Sequence, residues 1–571
     1  MRPWHLGNTT VRSPFRLREG LVALSMSQLQ GNLRGRRQEI ALRKLLGEHG
    51  IVELGSDKTY SVGRKWRSAL NKLGFLYPKI PSKSKCSQKD IGPVDMITPN
   101  GWRLIRAETV PAMQECFLRA LVAHFIPSAL ERKYNFAVFS PLRHTLAVML
   151  EIEKTTGDSY LNFIEMAIIV QLTNSEDDLE KVVAKIQFLR LEREQAENKR
   201  KFDQTVRDEA AKKHKYKAQT FYDYADTNFR YLKATGLVRS KGRGLSLMPE
   251  KHIFIEELAK DRSVPISDRS YFATLCSGAA LPTDNKKVAR VVFDDLVDQL
   301  AKRHIPYEIK DKKLDTPADI AIARHGIEDL LSKLNEDEYA ERQAHEWKEI
   351  LAFMDLIINR QHTKKLSNDE EIKVPKTEAP AYFEWILWRA FLAIDSLKNK
   401  SYEARRFKID QDFLPVGTAP GNGPDLIFEF ADFVVVVEVT LTTGSRQEAV
   451  EGEPVRRHVA ELVSQYEAKT RKPVYGLFIA NRIDSNTAET FRIGAWYFTD
   501  DNKIRLNIVP VTLRHFKDFF EALFKSSKNI DVSTIRDLLD QCCNLRASYE
   551  GPKWKLEIEK TFQNHILSLT S

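Results

Sequence analysis

The stretch Asp425–Thr440, DLIFEFADFVVVVEVT, contains two apolar segments separated by the dipeptide AD. Short apolar runs joined by two residues predict a β-hairpin with the shortest common loop. With that loop, Phe430 pairs with Phe433, and counting outward places Asp425 opposite Glu438. Directly opposed residues on neighbouring strands have Cβ atoms about 4.5–5.5 Å apart. The hairpin is therefore predicted to hold two carboxylates side by side.

Two carboxylates at that distance repel each other unless a positive charge lies between them. A divalent cation is the usual partner, and Mg²⁺ is favoured over zinc because the ligands are hard oxygens. Thr440 shares the face of Glu438, while the Val439 side chain points into the core and its carbonyl can face the metal. The pattern predicts a metal-dependent phosphodiesterase centre with Asp425, Glu438 and the Val439 carbonyl as ligands. The alternative is an ordinary hairpin with a turn-capping aspartate and a solvated glutamate.

Further segments accompany the hairpin: Leu414–Val416, Pro420–Asp425, and Glu451–His458 with the sequence EGEPVRRH. Together with the tripeptide EVT at 438–440, they resemble the AlwI family of type IIS restriction and nicking endonucleases, and the resemblance extends through Tyr160–Phe202. It implies a PD-(D/E)XK nuclease fold whose third motif is E-V-T in place of E-x-K. Thr440 accordingly stands where most PD-(D/E)XK enzymes have a lysine.

The resemblance also implies active-site roles for residues outside the hairpin. Glu451 and Glu384 match family positions that line the active site, and Glu451 would orient water or hold metal. For Glu384 the alternative is a favourable charge in the first turn of a helix. Arg457 and His458 match an Arg-His pair of the family. Phosphate contact is expected for Arg457, and a structural hydrogen bond rather than proton transfer for His458.

Without a lysine at Thr440, the cation beside the attacking water must come from elsewhere. The candidates for this cation are Arg446, Lys469 and a second metal ion, and the sequence does not distinguish among them.

The composition is that of a globular protein with several domains. The chain has 571 residues, of which 42% are hydrophobic and 29% charged, which predicts two to four domains. No apolar run approaches the roughly eighteen residues of a membrane span, and the N-terminal residues lack a signal-peptide core. Five cysteines lie scattered without zinc-site spacing and predict reduced thiols in a cytosol. We therefore expect a cytoplasmic protein without a membrane partner.

The charge is unevenly distributed. Residues 1–280 contain 46 Lys and Arg against 31 Asp and Glu, a balance of +15. Residues 281–571 contain 42 against 47, a balance of −5. This asymmetry indicates that the first half meets a polyanion, although a basic half alone is compatible with RNA, DNA or anionic lipid.

Ser61–Leu73, SVGRKWRSALNKL, predicts an amphipathic helix with one buried face. Its other face carries side chains able to contact phosphates and base edges: Arg64, Lys65, Arg67, Ser68, Asn71 and Lys72. A predicted strand at Gly74–Tyr77, a loop with four lysines and a second predicted strand at Met96–Gly101 follow. This is the order of a winged helix-turn-helix.

The same order recurs at Thr220–Lys233, TFYDYADTNFRYLK, which again has helical periodicity. Its exposed face is predicted to carry Asp223, Asn228, Arg230 and Tyr231. The loop Arg239–Gly244, RSKGRG, is a basic wing with DNA contacts expected from Arg239, Lys241 and Arg243. The alternative for each unit is a helical packing module with a solvated charged face. The presence of two such units in a basic half of the chain favours binding to double-stranded DNA.

These patterns divide the chain into three predicted domains. Residues 1–280 form a DNA-recognition domain with winged-helix-like units at about 36–105 and 143–258. Residues 281–376 form a linker and helical connector. Residues 377–571 form the PD-(D/E)XK cleavage domain. The predicted fold class is multidomain, α+β and α/β.

Local patterns predict several elements outside the hairpin. Asp177–Lys217 is a charged run that predicts a long surface helix. In the last domain, Phe383–Leu397 predicts an apolar helix, and a bend holds Glu451 before a helix that begins at Pro454. Pro473–Ala480 is apolar on both faces and predicts a central strand.

The sequence therefore predicts a Mg²⁺-dependent type IIS-like site-specific deoxyribonuclease of a bacterial restriction system, which cuts duplex DNA at a fixed offset. One alternative is a strand-specific nicking endonuclease of the same family, and another is a winged-helix regulator with an inactive nuclease domain. A repair or recombination nuclease that recognises DNA structure is a third. Double-strand cleavage would require a transient homodimer through the cleavage domain or a separate small catalytic subunit.

Overall fold

The computed structural model describes residues 2–9, 11, 13–52, 61–309, 312–366, 371–394, 396–526 and 530–570. The chain divides into two compact units, Met1–Leu331 and Ser332–Ser571. The boundary falls inside the segment 281–376 that the sequence predicts to be a connector. Within the described residues, no helix has the length and apolar character needed to cross a membrane.

The first unit is mainly helical. Its helices and strands, in chain order, are α1 (Arg16–Ser25), α2 (Arg36–Glu48), α3 (Ser61–Lys72), α4 (Gln88–Ile91), α5 (Pro99–Arg106), α6 (Val110–Val122), α7 (Pro141–Thr156), β1 (Leu161–Asn162), α8 (Phe163–Ile168), α9 (Leu179–Gln195), α10 (Lys199–His214), α11 (Ala218–Ala234), β2 (Val238–Lys241), β3 (Gly244–Leu247), α12 (His252–Lys260), α13 (Asp268–Ser277) and α14 (Lys286–Lys302). Helix α15 (Pro317–Arg342) runs across the boundary between the units.

The strand order of the first unit's sheet is β1-β3-β2, and both pairings are antiparallel. Strands β2 and β3 form a hairpin in which Lys241 pairs with Gly244, so that only two residues form the turn. The hairpin follows α11 directly, which is the helix-then-hairpin order predicted from the sequence. Its outer strand is exposed from Arg239 onward, whereas β3 is buried.

The corresponding segment nearer the N-terminus is less regular than predicted. Ile97 pairs with Leu76 as an isolated bridge, and the predicted strand Met96–Gly101 is wrong beyond that point because α5 begins at Pro99. The Thr98 hydroxyl accepts a hydrogen bond from the Gly101 N–H at 3.0 Å. An N-cap threonine followed by proline at the first helical position starts a helix and ends strand pairing.

The predicted single helix over Asp177–Lys217 is two helices, α9 and α10. The break lies at Ala196–Asn198, where the Asn198 side chain accepts a hydrogen bond from the Lys201 N–H at 2.9 Å. Arg193 on α9 binds Asp203 on α10 through two hydrogen bonds of 2.7 and 3.0 Å. The asparagine cap and this ion pair fold the charged run back on itself.

The second unit is an α/β arrangement. Its elements after α15 are α16 (Trp347–Ile358), β4 (Thr363–Lys365), β5 (Glu371–Lys373), α17 (Ala379–Ile394), α18 (Ser401–Ala404), β6 (Leu426–Glu429), β7 (Val434–Thr440), α19 (Arg446–Thr470), β8 (Val474–Ala480), α20 (Ser485–Ile493), β9 (Ala495–Tyr497), β10 (Lys503–Arg505), β11 (Asn507–Thr512), α21 (Leu513–Lys525), α22 (Ser533–Leu545) and α23 (Gly551–Thr570).

The main sheet of this unit has the strand order β11-β8-β7-β6. Strand β6 is antiparallel to β7, whereas β7, β8 and β11 run parallel. Leu426 pairs with Val437, and the Phe430 N–H donates to the Phe433 carbonyl at 2.9 Å. The predicted hairpin register is confirmed, and it carries Asp425 opposite Glu438 one residue beyond the ladder. Strand β8 is buried along its whole length and lies between two strands, as its sequence predicts.

Helix α19 begins earlier than the sequence predicts. It starts at Arg446, so Glu451 lies on the helix rather than in a bend, and Pro454 lies inside the helix rather than at its start. An internal proline removes one backbone hydrogen bond. Burial of Val455 and Val459 on this helix favours the continuous form, and Val459 lies so close to Gly476 of β8 that a Cβ there would be 2.8 Å from its methyl group. Tertiary packing overrides the local signal.

Candidate active site

The hairpin formed by β6 and β7 presents the two predicted carboxylates at one end of the sheet. The Glu438 side chain is buried, with 7% of its surface exposed, and Asp425 is half-buried. The Val439 N–H donates a hydrogen bond to Oδ2 of Asp425 at 2.9 Å. This bond fixes the aspartate across the hairpin from Glu438, while the Val439 side chain packs against the core.

The electrostatics of the pair are those of like charges held away from water. Burial and then the Glu438 charge raise the pKa of Asp425 well above its ordinary value. Burial and then the Glu451 charge raise the pKa of Glu438 to about 8. A raised carboxyl pKa means that the ionised form costs free energy at this position. A bound cation would remove that cost.

Glu384 belongs to this cluster. It lies in the second turn of α17, is buried with 4% of its surface exposed, and accepts a hydrogen bond from the Ala419 N–H at 2.7 Å. Burial raises its pKa well above the ordinary value, and the charges of Asp425 and Glu438 raise it further. Helix-dipole stabilisation falls off within the first turn. The location of Glu384 therefore favours the active-site interpretation over the alternative of a helix-terminal charge.

Helix α19 contributes two further groups to the cluster. Glu451 is half-buried, and burial raises its pKa, while a hydrogen bond with the Thr440 hydroxyl opposes part of that rise. His458, seven residues further along the helix, is buried, and its Nδ1 lies 2.7 Å from Oε1 of Glu438. Among the described residues, its Nε2 atom has no hydrogen-bond partner. Burial, followed by the Arg457 charge, lowers the pKa of His458.

One cation near these groups was not identified from the sequence. The Arg406 guanidinium donates to Oδ1 of Asn422 at 2.6 Å and to the Pro424 carbonyl at 3.3 Å. A Cβ on Gly423 would lie 2.1 Å from Nη1 of Arg406, so a larger residue there would force the guanidinium to move. The positive charge of Arg406 lowers the pKa values of Glu438 and His458. The sequence feature that could have indicated this contact is the glycine-rich loop at 421–423, because glycine lets a side chain approach the backbone closely.

The cations considered from the sequence lie elsewhere. Arg446 and Lys469 are both exposed and stand near opposite ends of α19. Arg457 forms ion pairs along its own helix with Glu453 at 3.1 Å and Glu461 at 3.7 Å. Its charge nevertheless contributes to lowering the pKa of Glu438. Arg406 and Arg457 are therefore the arginines whose charges reach this carboxylate.

The donor set suits a hard divalent cation. Asp425, Glu438 and Glu451 offer carboxylate oxygens, and the nearby Val439 backbone supplies a further carbonyl. Across the described part of the chain, no three His, Cys, Asp or Glu side chains converge closely enough to hold an ion by themselves. Mg²⁺ commonly binds through one or two carboxylates and completes its shell with water and substrate phosphate. The two-carboxylate site fits that ion better than a structural zinc site, which takes four protein ligands.

The predicted DNA-contacting residues of α3 differ in exposure. Arg64 and Lys65 are exposed. Arg67 donates to the Leu33 carbonyl at 2.5 Å and pairs with Glu39. Asn71 donates to Asp95 at 3.3 Å, and Lys72 pairs with Glu131 at 3.1 Å. The last three side chains are thus engaged within the unit.

The predicted exposed face of α11 is partly wrong. Asn228 and Tyr231 are completely buried, and Oδ1 of Asn228 accepts a hydrogen bond from the Leu6 N–H at 2.7 Å. The physical reason is that the N-terminal segment, with Trp4 and Leu6 fully buried, covers this face of the helix. Arg230 also contacts the segment, donating to the Val11 carbonyl at 2.9 Å.

The hairpin after α11 keeps its predicted basic surface. Arg239, Lys241 and Arg243 are all exposed, and Lys241 pairs with Asp158 at 2.7 Å. These side chains remain available to a polyanion.

Comparisons with known proteins relate the chain to restriction endonucleases. A family model described as AlwI restriction endonuclease matches residues 71–519, a span that includes the hairpin, Glu384, Glu451 and His458. Among solved structures, the small subunit of the heterodimeric restriction endonuclease R.BspD6I matches with 23% identity and a TM-score of 0.29, covering 39% of this chain and 99% of that chain. That likeness is too weak to establish a common fold. No curated protein matches the chain.

Proposed function

Because the chain belongs to the AlwI restriction endonuclease family, it is a restriction-type DNA endonuclease, and we propose that it is a type IIS-like enzyme dependent on Mg²⁺. It binds a short asymmetric duplex sequence and hydrolyses phosphodiester bonds at a fixed offset from it. The observation that carries this proposal is the pairing of Asp425 with Glu438 across the hairpin, with Glu384 and Glu451 near enough to be electrostatically coupled to the pair. Buried carboxylates that raise each other's pKa values are costly to stability and characteristic of functional sites.

Asp425 and Glu438 would hold the cation, with the Val439 carbonyl as a third donor. When bound, Mg²⁺ lowers the pKa of a coordinated water and stabilises charge on the scissile phosphate. The Val439 N–H keeps Asp425 in place through its 2.9 Å hydrogen bond. The geometry therefore comes from a single rigid hairpin, which suits a site that must hold its ligands closely.

His458 acts on Glu438 as a positioning residue. Its Nδ1 lies 2.7 Å from Oε1 of Glu438, and this contact would fix the orientation of the Glu438 side chain as a metal ligand. Glu451 takes the hydrogen bond of the Thr440 hydroxyl and thereby remains directed at the cluster. Thr440 thus joins the third motif to α19 through Glu451.

We assign the missing positive charge to Arg406. Its side chain is held by Asn422 and the Pro424 carbonyl, immediately before Asp425 in the chain. A guanidinium in this place can bind a non-bridging phosphate oxygen and reduce the repulsion between the DNA and the carboxylate cluster. Arg446 and Lys469 are less suitable because both are exposed near the ends of α19.

DNA recognition is assigned to the first unit. The helix-then-hairpin order of α11, β2 and β3 supports a winged-helix interpretation, with Arg239, Lys241 and Arg243 on the wing. Arg64 and Lys65 on α3 provide a second exposed basic surface. The basic balance of residues 1–280 agrees with binding to phosphates. The enzyme would act in the bacterial cytoplasm, with double-stranded DNA as its partner.

Strand-specific nicking is the second function that an observation favours. The described residues contain one Asp425/Glu438 constellation, and one centre cuts one strand at a time. A double-strand break would then need a transient homodimer through the cleavage domain or a separate small catalytic subunit. An inactive winged-helix regulator is disfavoured because it would have no use for a group of carboxylates whose charges raise one another's pKa values.

The proposal is tested by incubating the full chain with plasmid DNA and Mg²⁺ and sequencing the ends of both strands. We expect ends at a constant distance from one short asymmetric sequence and no cleavage when a chelator is present. Cleavage at random positions, or at DNA junctions irrespective of sequence, would overturn it. Ends on one strand only would identify a nicking enzyme.

A further inference from the structure

The first unit contains an open cleft with a volume of about 480 Å³, and of its lining residues only Arg243 belongs to the predicted recognition surface. It lies among α8, α10, α11 and the turn of the β2–β3 hairpin. Three arginines line it, Arg200 and Arg207 from α10 and Arg243 from the hairpin turn, and we call it the arginine cleft. Its volume is in the range of ordinary ligand sites, roughly 300–1,000 Å³.

The arginines are placed by secondary structure rather than by chance exposure. Arg200 and Arg207 are seven residues apart on α10, which puts them on one face of the helix, two turns apart. Arg243 approaches from the other side. Its backbone carbonyl accepts a hydrogen bond from the Phe163 N–H at 3.1 Å, which ties the hairpin turn to the start of α8.

The balance of charge in the cleft is positive. Asp203 is the one carboxylate among its described lining residues, and Arg193 neutralises it through two hydrogen bonds. Arg207 pairs with Asp208 outside the lining, at 2.7 Å, and its guanidinium lies 4.7 Å from the centre of the Tyr222 ring. Arg200 and Arg243 are exposed at the rim. The cleft therefore combines two exposed guanidinium groups with one that is held in place.

We propose that the arginine cleft binds consecutive phosphates of one strand of duplex DNA and thereby sets the register of the protein on its site. The proposal rests on the function proposed above, since it requires DNA as the ligand. Planar guanidinium groups match phosphate oxygens in a bidentate manner. Contacts to phosphates position a protein without reading bases. Arg243 joins this cleft to the basic hairpin, so the backbone contacts continue onto the surface already assigned to DNA.

The test uses the full chain and a duplex containing the sequence at which the wild-type protein cuts. Binding is measured without metal over a series of salt concentrations for wild type, Arg200→Gln, Arg243→Gln and Arg200→Lys. The control is Arg290→Gln, which removes an exposed arginine of α14 that pairs with Asp294. Each lost phosphate contact should weaken binding several-fold and reduce the slope of log K against log salt by about 1. Arg200→Lys should retain most of the slope, and Arg290→Gln all of it.

A second measurement locates the contact. Single phosphates of the duplex are replaced in turn by uncharged methylphosphonates. Replacement of a phosphate that lies in the cleft should weaken wild-type binding but leave Arg200→Gln or Arg243→Gln unaffected. An unchanged salt slope in both glutamine variants would overturn the inference while leaving the nuclease proposal intact. The inference would also be overturned if, at every phosphate, the loss of affinity caused by the methylphosphonate simply added to the loss caused by each glutamine variant. Failure of the wild-type protein to bind any DNA would overturn both.

Discussion

His458 on α19 places Nδ1 2.7 Å from Oε1 of Glu438 on β7, and both side chains are buried. The contact joins the helix that follows the hairpin to the carboxylate predicted to bind metal. It also leaves Nε2 of His458 without a hydrogen-bond partner among the described residues. We expect the histidine to orient Glu438 as a metal ligand.

The first prediction concerns this contact. His458→Gln removes the imidazole that orients Glu438, and loss of such a supporting contact typically costs about 10–100-fold in metal affinity or activity. We therefore expect kcat to fall by that factor and the Mg²⁺ concentration needed for half-maximal activity to rise, while DNA affinity without metal stays unchanged. His565→Gln on α23 is the control. Wild-type kcat and Mg²⁺ dependence in His458→Gln would show that the contact has no catalytic role.

Removal of either ligand should abolish cleavage without abolishing binding. Asp425→Asn and Glu438→Gln each remove a charge that the cation needs, at a cost of several kcal/mol in transition-state stabilisation. Site-specific binding should survive because the surface proposed to recognise DNA belongs to the first unit. The matched control is Asp432→Asn in the hairpin loop, an exposed aspartate paired with Arg536. Plasmid cleavage and gel shift measure the two activities, and turnover at the wild-type rate by either ligand variant would rule out this active site.

Arg406 is expected to contribute to catalysis through its charge. Arg406→Gln should reduce cleavage about 100-fold, in the range seen when one donor to a transition-state oxyanion is removed. Arg406→Lys keeps the charge but loses the planar guanidinium that reaches Asn422 and Pro424. Its cleavage rate should therefore lie between those of the wild type and Arg406→Gln. The control is Arg514→Gln, an exposed arginine of α21. If the lysine variant is no better than the glutamine variant, the role of Arg406 is to hold its loop rather than to supply charge.

One chain is expected to cut one strand at a time. Because the two strands of a duplex are antiparallel, cutting both requires two oppositely oriented active sites, and the described residues contain one. A time course on supercoiled plasmid should therefore show nicked circles first. If the centres pair transiently, the linear product should rise faster than in proportion to enzyme concentration. Immediate linear product, at concentrations where the protein is monomeric by sedimentation, would contradict this expectation.

Acid should destabilise the first unit through buried histidines. Burial lowers the pKa of His144 from 6.5 to about 3. A histidine with a lowered pKa stabilises the fold fully above pH 6.5, and this contribution is lost as the pH falls towards 3 because the unfolded chain takes up a proton first. Each such group contributes a slope of about 1.4 kcal/mol per pH unit within that window.

The variant His144→Gln isolates one of these protons. Denaturant unfolding followed between pH 6 and 4 should show a shallower slope in the variant, although His5 and His124, whose pKa values are also lowered to about 3, maintain part of it. His49→Gln, an exposed position, serves as the control and should keep the wild-type slope. If the slopes of His144→Gln and the wild type are equal, the His144 imidazole is not held in its neutral form in the folded protein.

The hairpin formed by β6 and β7 could be predicted from the sequence because its determinants are local. A two-residue loop between apolar runs sets the register, and register alone brings Asp425 opposite Glu438. The family resemblance supplied Glu384, Glu451 and His458, whose meeting with the hairpin no local pattern could predict. Their convergence depends on α17 and α19 packing against the sheet.

Local signals failed where another part of the chain decided the outcome. Asn228 lies on a face of α11 that periodicity predicts to be polar and exposed, yet Trp4 and Leu6 cover it. Pro454 resembles a helix start, yet burial of Val455 and Val459 extends α19 before it. In both cases long-range burial of apolar surface outweighs a propensity worth only a few kcal/mol.

The sequence by itself determined the hairpin register, the carboxylate pair and the basic character of the first half, because charge and strand alternation are carried by neighbouring residues. Only the tertiary structure decided that Arg406, nineteen positions before Asp425, would bring its charge to the cluster, and that Arg200, Arg207 and Arg243 would line one cleft. These groups come from separate elements, and their proximity depends on how helices and loops pack after the local structure has formed. Their proximity therefore cannot be predicted from their positions along the chain.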